Sequence, residues 1–206
     1  EMRKRTTNVV LNEPPAWCSN FQPVALQRNV MILGARIAEA ARPGSAFTAE
    51  VALAAPGPLK DGVWAASIKG VNRKTGEFFI WRHPVADGGW LPPLWKKGQI
   101  VLDRTLVRPP ELSEGHYELL FRMEEVQSQK VLLPKDPASG DAEGYVPVGH
   151  ILIREKGVPE GPAGVAWDGR LSSIEPGGPF SPLAVVWFKT AWRIITVTLV
   201  VAVLAI

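Results

Sequence analysis

The chain has a single cysteine, Cys18, in 206 residues. That excludes an intrachain disulfide framework and any zinc site assembled from several cysteines. Histidine is almost as scarce: His83, His116 and His150 lie far apart, in no metal-ligand spacing. No metal or other cofactor is therefore expected. A Gly-x-x-x-x-Gly-Lys-Ser/Thr phosphate loop does not occur, and no serine sits in a Gly-x-Ser-x-Gly elbow. Nothing sets two of the carboxylates Glu111, Glu114, Glu124 and Glu125 at a glycosidase separation, so they read as solvated faces. Charge of one sign is also in short supply. Lys plus Arg is 23 against 20 for Asp plus Glu, a net +3. So small an excess, with no clustered basic face, excludes nucleic acid as the expected partner.

What is present points to a folded, strand-rich chain. Hydrophobic residues at 46% and charged residues at 21% exclude disorder as a global description. Nineteen Gly and nineteen Pro suit short strands joined by turns. Eight Trp against two Tyr leave many indoles that need a core, a binding face or a membrane interface.

Short apolar runs bounded by turn residues recur along the chain. Residues 1–28 are polar and punctuated by Pro14, Pro15 and Pro23, and read as an extended arm. Strands are expected over 29–37, 46–53, 62–69, 77–82, 99–107, 116–123, 130–133 and 145–153. The 72–76 turn predicts a hairpin between the third and fourth. A helix over 31–42 is the alternative for the first. In 46–53, Phe47, Ala49, Val51 and Leu53 share one face; in 116–123, Tyr117, Leu119, Phe121 and Met123 point inward. The fold expected is an all-β antiparallel sandwich, immunoglobulin- or jelly-roll-like, over residues 29–156, with about eight strands. Residues 157–182 are rich in Gly and Pro and read as a linker.

From Leu183 the character changes. Residues 194–206 carry no charge, and with 183–193 they make an apolar stretch long enough to span a bilayer. Lys189 and Arg193, four apart, can snorkel toward headgroups, and Trp187 and Trp192 fall where an interfacial belt would lie. The other reading is a long buried strand, because Ile, Val and Thr dominate 194–206. We read 183–206 as one C-terminal transmembrane helix, with the question open whether it continues past Ile206. Basic residues on its N-terminal side point to a cytoplasmic main domain.

A set of motifs brings a resemblance. Gly34-Ala-Arg-Ile and Arg42-Pro-Gly precede the Trp64 strand. Then come Trp95-Lys-Lys-Gly98-Gln-Ile-Val-Leu-Asp103, Pro109-Pro-Glu-Leu-Ser-Glu-Gly115-His-Tyr-Glu-Leu and Gly149-His-Ile-Leu-Ile. Over about residues 29–156 the chain resembles the β-sandwich modules attached to bacterial envelope and glycosyltransferase-type membrane proteins. The resemblance implies an extracytoplasmic, periplasmic face, and it outweighs the charge asymmetry because a basic pair can snorkel at either interface. It implies no transferase activity, since the multi-span catalytic part of such proteins is absent. The motif residues themselves read as structural. Trp95 can plug the end of the fold, Asp103 can cap a backbone amide, and Tyr117 can bond across a corner.

One cluster suits binding. Trp81, Arg82, His83, Trp90 and Trp95 fall within fifteen residues, mostly in a loop, and Trp and Arg are enriched at interface hot spots. The reading that follows is a non-catalytic, single-pass, membrane-anchored accessory subunit. It would stabilise or assemble a larger membrane complex of the energy-transducing kind, respiratory or photosynthetic, with the other subunits and the bilayer as partners. The alternative is an extracytoplasmic glycan-binding module in envelope polysaccharide or glycolipid handling. A nucleophilic role for Cys18 finds no basic partner nearby in sequence.

Overall fold

The computed structural model describes residues 10–158, except 61, 89 and 90, together with Ala163. The stretches 164–206 and 1–9 lie outside it, and with them the expected membrane helix and Trp187, Lys189, Trp192 and Arg193. Among the described residues no helix is long and apolar enough to cross a membrane.

The fold is all-β, ten strands in two five-stranded sheets. In chain order they are β1 (Val10–Leu11), β2 (Val24–Ala25), β3 (Met31–Ile37), β4 (Ala40–Ala41), β5 (Phe47–Ala54), β6 (Trp64–Val71), β7 (Phe78–Pro84), β8 (Ile100–Val107), β9 (Gly115–Glu125) and β10 (Val146–Ile153). The first sheet runs β1-β8-β5-β3-β2 and the second β4-β10-β9-β6-β7. Neighbours are antiparallel except β4, which pairs in parallel with β10. The stretch 31–42, for which a helix was the alternative, is two strands, because Ile32 and Ala41 must each reach the shared core from opposite sheets. Residues 130–133 form no strand; Val131 makes one isolated bridge to Glu124.

One apolar core serves both sheets. Phe47, Ala49, Val51 and Leu53 of β5 meet Tyr117, Leu119, Phe121 and Met123 of β9, all of them buried. These are the inward sets that period-two alternation marks. The β6–β7 hairpin closes at Asn72, whose side-chain oxygen accepts from the amides of Lys74 and Thr75. At the start of β9 the Tyr117 hydroxyl donates to the Ser113 carbonyl at 3.0 Å and to Glu77 Oε2 at 2.5 Å. Burial and the Glu77 carboxylate push that phenol up to about 12.

The segment before β3 is knitted into the fold rather than standing off as an arm. β1 pairs with β8 and β2 with β3, and Cys18, Leu11 and Trp17 pack with Ala52, Ile100 and Leu102 in a second, small cluster. Across the same face runs a charged row in register: Arg36 of β3, Glu50 of β5 and Arg104 of β8. Glu50 is 1% exposed and pairs with both guanidinium groups, while Arg36 lies 5.7 Å from the Trp17 ring centroid. Both faces of β5 are therefore covered. That is why Thr48 and Glu50, expected on an outer face, are buried too.

Gly70 in β6 shows how tightly the core is filled. A Cβ there would lie 2.0 Å from Cε1 of Phe79. That ring is held by Phe47, with centroids 6.2 Å apart and planes at 79°, and by Tyr117 at 6.4 Å. Gly70→Ala should destabilise the fold by about 2 kcal/mol, as overpacking does. Urea unfolding of the variant checks this; an unchanged midpoint would mean that the Phe79 ring moves at no cost.

Candidate functional site

The five residues of the expected binding cluster do not share one surface. His83 and Trp95 are buried, at 4% and 1% exposure, which corrects their reading as contact residues: neither side chain is offered to a partner. Trp81 is half-buried and packs against the core, and Arg82 is exposed. Trp90 lies outside the described residues. The physical reason is the pleat of β7. Its core face carries Phe79, Trp81 and His83, and its outer face Phe78, Ile80 and Arg82.

The inward residues link the two sheets. His83 Nε2 lies 3.0 and 3.2 Å from the carboxylate oxygens of Asp103 on β8. The Trp81 indole donates to Thr105 Oγ1 at 3.1 Å. Asp103 also accepts the Ala86 amide at 2.6 Å, the backbone cap expected of it. That bond holds Ala86 at φ 54, a left-handed conformation that L residues other than glycine seldom adopt. Asp103 therefore ties β8 to β7 and to the turn that follows β7.

The carboxylates read as solvated divide. Glu111 and Glu114 are exposed, as expected. Glu124 and Glu125 are 7% exposed, which corrects that reading for both. Glu124 pairs with Arg82 at 2.6 Å and Arg122 at 2.8 Å. Glu125 accepts the amides of Val63, Gln127 and Ser128. Cys18 is buried, and burial pushes its thiol up, away from the reactive thiolate. Among the described residues no three His, Cys, Asp or Glu side chains gather as a metal would need.

Two features were missed by the reading of the chain. The first is the outer face of β7, where Phe78 and Ile80 are 59% and 51% exposed. Among the described residues β7 pairs only with β6 and is the edge of its sheet, and Leu91 and Leu94 in the loop beyond are also exposed. The signal is present in the sequence as Phe78-x-Ile80, inside the strand expected over 77–82. The second is a cleft of about 660 Å³, lined by Gln27 and Arg28 before β3, Trp64 at the start of β6, and Gln127, Ser128 and Lys130 after β9. Arg28 lies over the Trp64 ring at 5.3 Å. No local motif could announce it, because its two polar segments lie about a hundred residues apart in sequence.

No family model and no curated protein sequence matches the chain.

Two predictions follow from this geometry. Asp103→Ala should cost about 3 kcal/mol, since it removes the buried carboxylate shared by His83 and the Ala86 amide. Replacing both partners together (His83→Phe with Asp103→Leu) should restore part of the loss. Denaturant curves of the single and double variants check this; a cost near zero for Asp103→Ala would remove the pair's role. The second concerns pH. Burial alone would raise the Glu125 carboxyl, but the Ser128 hydroxyl and the amides of Ser128, Gln127 and Val63 hold it at about 2, below its ordinary 4.5. A depressed acid stabilises the fold above the unfolded-state value, and that stability is lost as pH falls through about 4.5 toward 2. Glu125→Gln should be less stable at neutral pH and lose less on acidification. Thermal melts from pH 7 down to 2 read both effects.

Proposed function

We propose that the chain is a non-catalytic, membrane-anchored accessory subunit that docks on a larger membrane complex through the outer face and free edge of β7. The observation that carries this reading is the pair Phe78 and Ile80, exposed and adjacent on the outer side of an edge strand. Folded domains normally guard such an edge with charge, proline or a covering segment. Here exposed apolar side chains, one of them with Lys69 over its ring at 6.0 Å, lie beside backbone groups that a partner strand can extend, the arrangement used in β-strand addition. Arg82, on the same outer face, adds a polar rim.

The module itself we read as an immunoglobulin-type sandwich. Support comes from the order β3-β5-β8 in one sheet and β7-β6-β9-β10 in the other, with short β4 crossing to pair in parallel with the last strand. The Tyr117 bond back to Ser113 also supports it, since a tyrosine corner is a recurrent feature of that architecture. Residues 183–206 supply the anchor in this reading, and the resemblance noted for residues 29–156 is the support for an extracytoplasmic face.

Mild-detergent extraction of native membranes, then native electrophoresis and mass spectrometry, tests the proposal. The chain should migrate in a large band with partners in fixed ratio. The double variant Phe78→Ser, Ile80→Ser should leave that band at least tenfold depleted while keeping the wild-type circular dichroism. Migration of the wild type as a monomer, or an undiminished band for the variant, would refute docking through β7.

A further inference from the structure

The cleft between the turn before β3 and the turn after β9 belongs to none of the roles above. We propose that it is a saccharide-binding site, in which Gln27, Gln127, Ser128 and Lys130 hydrogen-bond the hydroxyl groups of a short glycan. The inference is independent of docking through β7, because it uses no residue of that strand.

Three observations carry it. Its volume, about 660 Å³, lies within the range of small-ligand sites. Its rim is built in an unusual backbone: Arg28, Asn29 and Gln129 have φ of 56°, 60° and 56°. They are three of the four non-glycine residues with positive φ among the described residues, and they flank the cleft from both segments. Strained conformations of this kind concentrate at ligand sites, where the surrounding structure over-determines them. One source of that determination is visible. Glu125 pins the Gln127–Ser128 turn through their amides, and a Cβ on Gly62 would lie 2.1 Å from the Glu125 carboxylate, so the backbone is pressed against it. Finally, Trp64 lines the cleft, and its buried indole Nε1–H finds no acceptor among the described residues. A bound ligand or ordered water commonly satisfies such a donor.

The class of ligand follows from the lining. Gln27 and Gln127 are exposed amides that both give and accept hydrogen bonds, the Ser128 hydroxyl retains lone pairs, and Lys130 gives only. Ring hydroxyls also give and accept, and match such a mixed set. A phosphate or sulfate accepts only, would leave both amide carbonyls unused, and would share the cleft with the Glu125 carboxylate. Trp64 is 2% exposed and its ring lies under Arg28, so recognition here is by hydrogen bonds and not by stacking on an open indole face.

Titration of the full chain with chitotriose, cellotriose and trigalacturonate, followed by nitrogen-15 NMR of the indole and side-chain amide resonances, tests the site. At least one probe should shift the Trp64 indole and a glutamine amide saturably. Gln127→Ala should weaken that binding at least fivefold, with Gln27→Ala as the second variant if the first fails to fold. The Phe78→Ser, Ile80→Ser chain should bind as the wild type does, which separates this proposal from docking. Absence of saturable shifts with all three probes would overturn it. So would binding that survives both glutamine variants, or saturation by inorganic phosphate with none by the sugars.

Discussion

Two polar side chains from opposite sheets meet inside an apolar core, and much of the arrangement depends on where they meet. His83 of β7 and Asp103 of β8 are both buried, and the Trp81–Thr105 bond joins the same two strands two residues away on each. A polar pair in this position is weak evidence for net stability, because desolvation offsets most of its attraction. Its consequence is register. A slip of one residue in β7 would turn His83 to solvent and strand Asp103 and the Ala86 amide without their partner. The same slip would carry Phe78 and Ile80 into the core. The bare apolar face of β7 is thus held outward by a polar contact on its other side.

That inversion explains what the sequence concealed. On most half-buried strands the apolar set faces inward and the polar set outward. β9 obeys, and Tyr117, Leu119, Phe121 and Met123 were legible as core. So were β5, β8 and β10 within a residue or two, the 72–76 hairpin, the capping role of Asp103 and the corner bond of Tyr117. β7 reads as aromatic or apolar on both faces, and its one histidine points in. Local pattern therefore marked Arg82 and His83 together as exposed, although the pleat separates them.

Other differences have the same origin, in tertiary partners that no local window contains. Residues 10–28 lack periodicity because they serve as a cover, placing Cys18 and Trp17 over β3 and β5 instead of forming long strands. Glu50 looked like a solvated residue on an alternating strand. It is buried because two arginines from the flanking strands stand in the same row. Glu125 follows another route to the same end, since backbone amides, not cations, compensate its charge. The cleft, whose walls come from residues 27–28 and 127–132, was beyond any reading by motif.

The two sheets are not equivalent toward solvent, and this bears on how docking and ligand binding can coexist. The outer face of the first sheet is sealed by the N-terminal segment and its Arg36–Glu50–Arg104 row. The outer edge of the second is left apolar. Along β6 the Phe78 end of β7 and the cleft lie apart: Val71 pairs with Phe78 and Lys69 with Ile80, whereas Trp64 pairs with Glu125 at the cleft. Seven residue steps of strand separate Val71 from Trp64, roughly 23 Å at about 3.3 Å per residue. A partner strand paired with the Phe78–Ile80 half of β7 would extend the sheet sideways and leave Gln27 and Gln127 open. Occupancy of one site need not exclude the other. On the proposed reading, the Phe78–Ile80 half of β7 would hold the complex while the cleft stays free to meet a glycan.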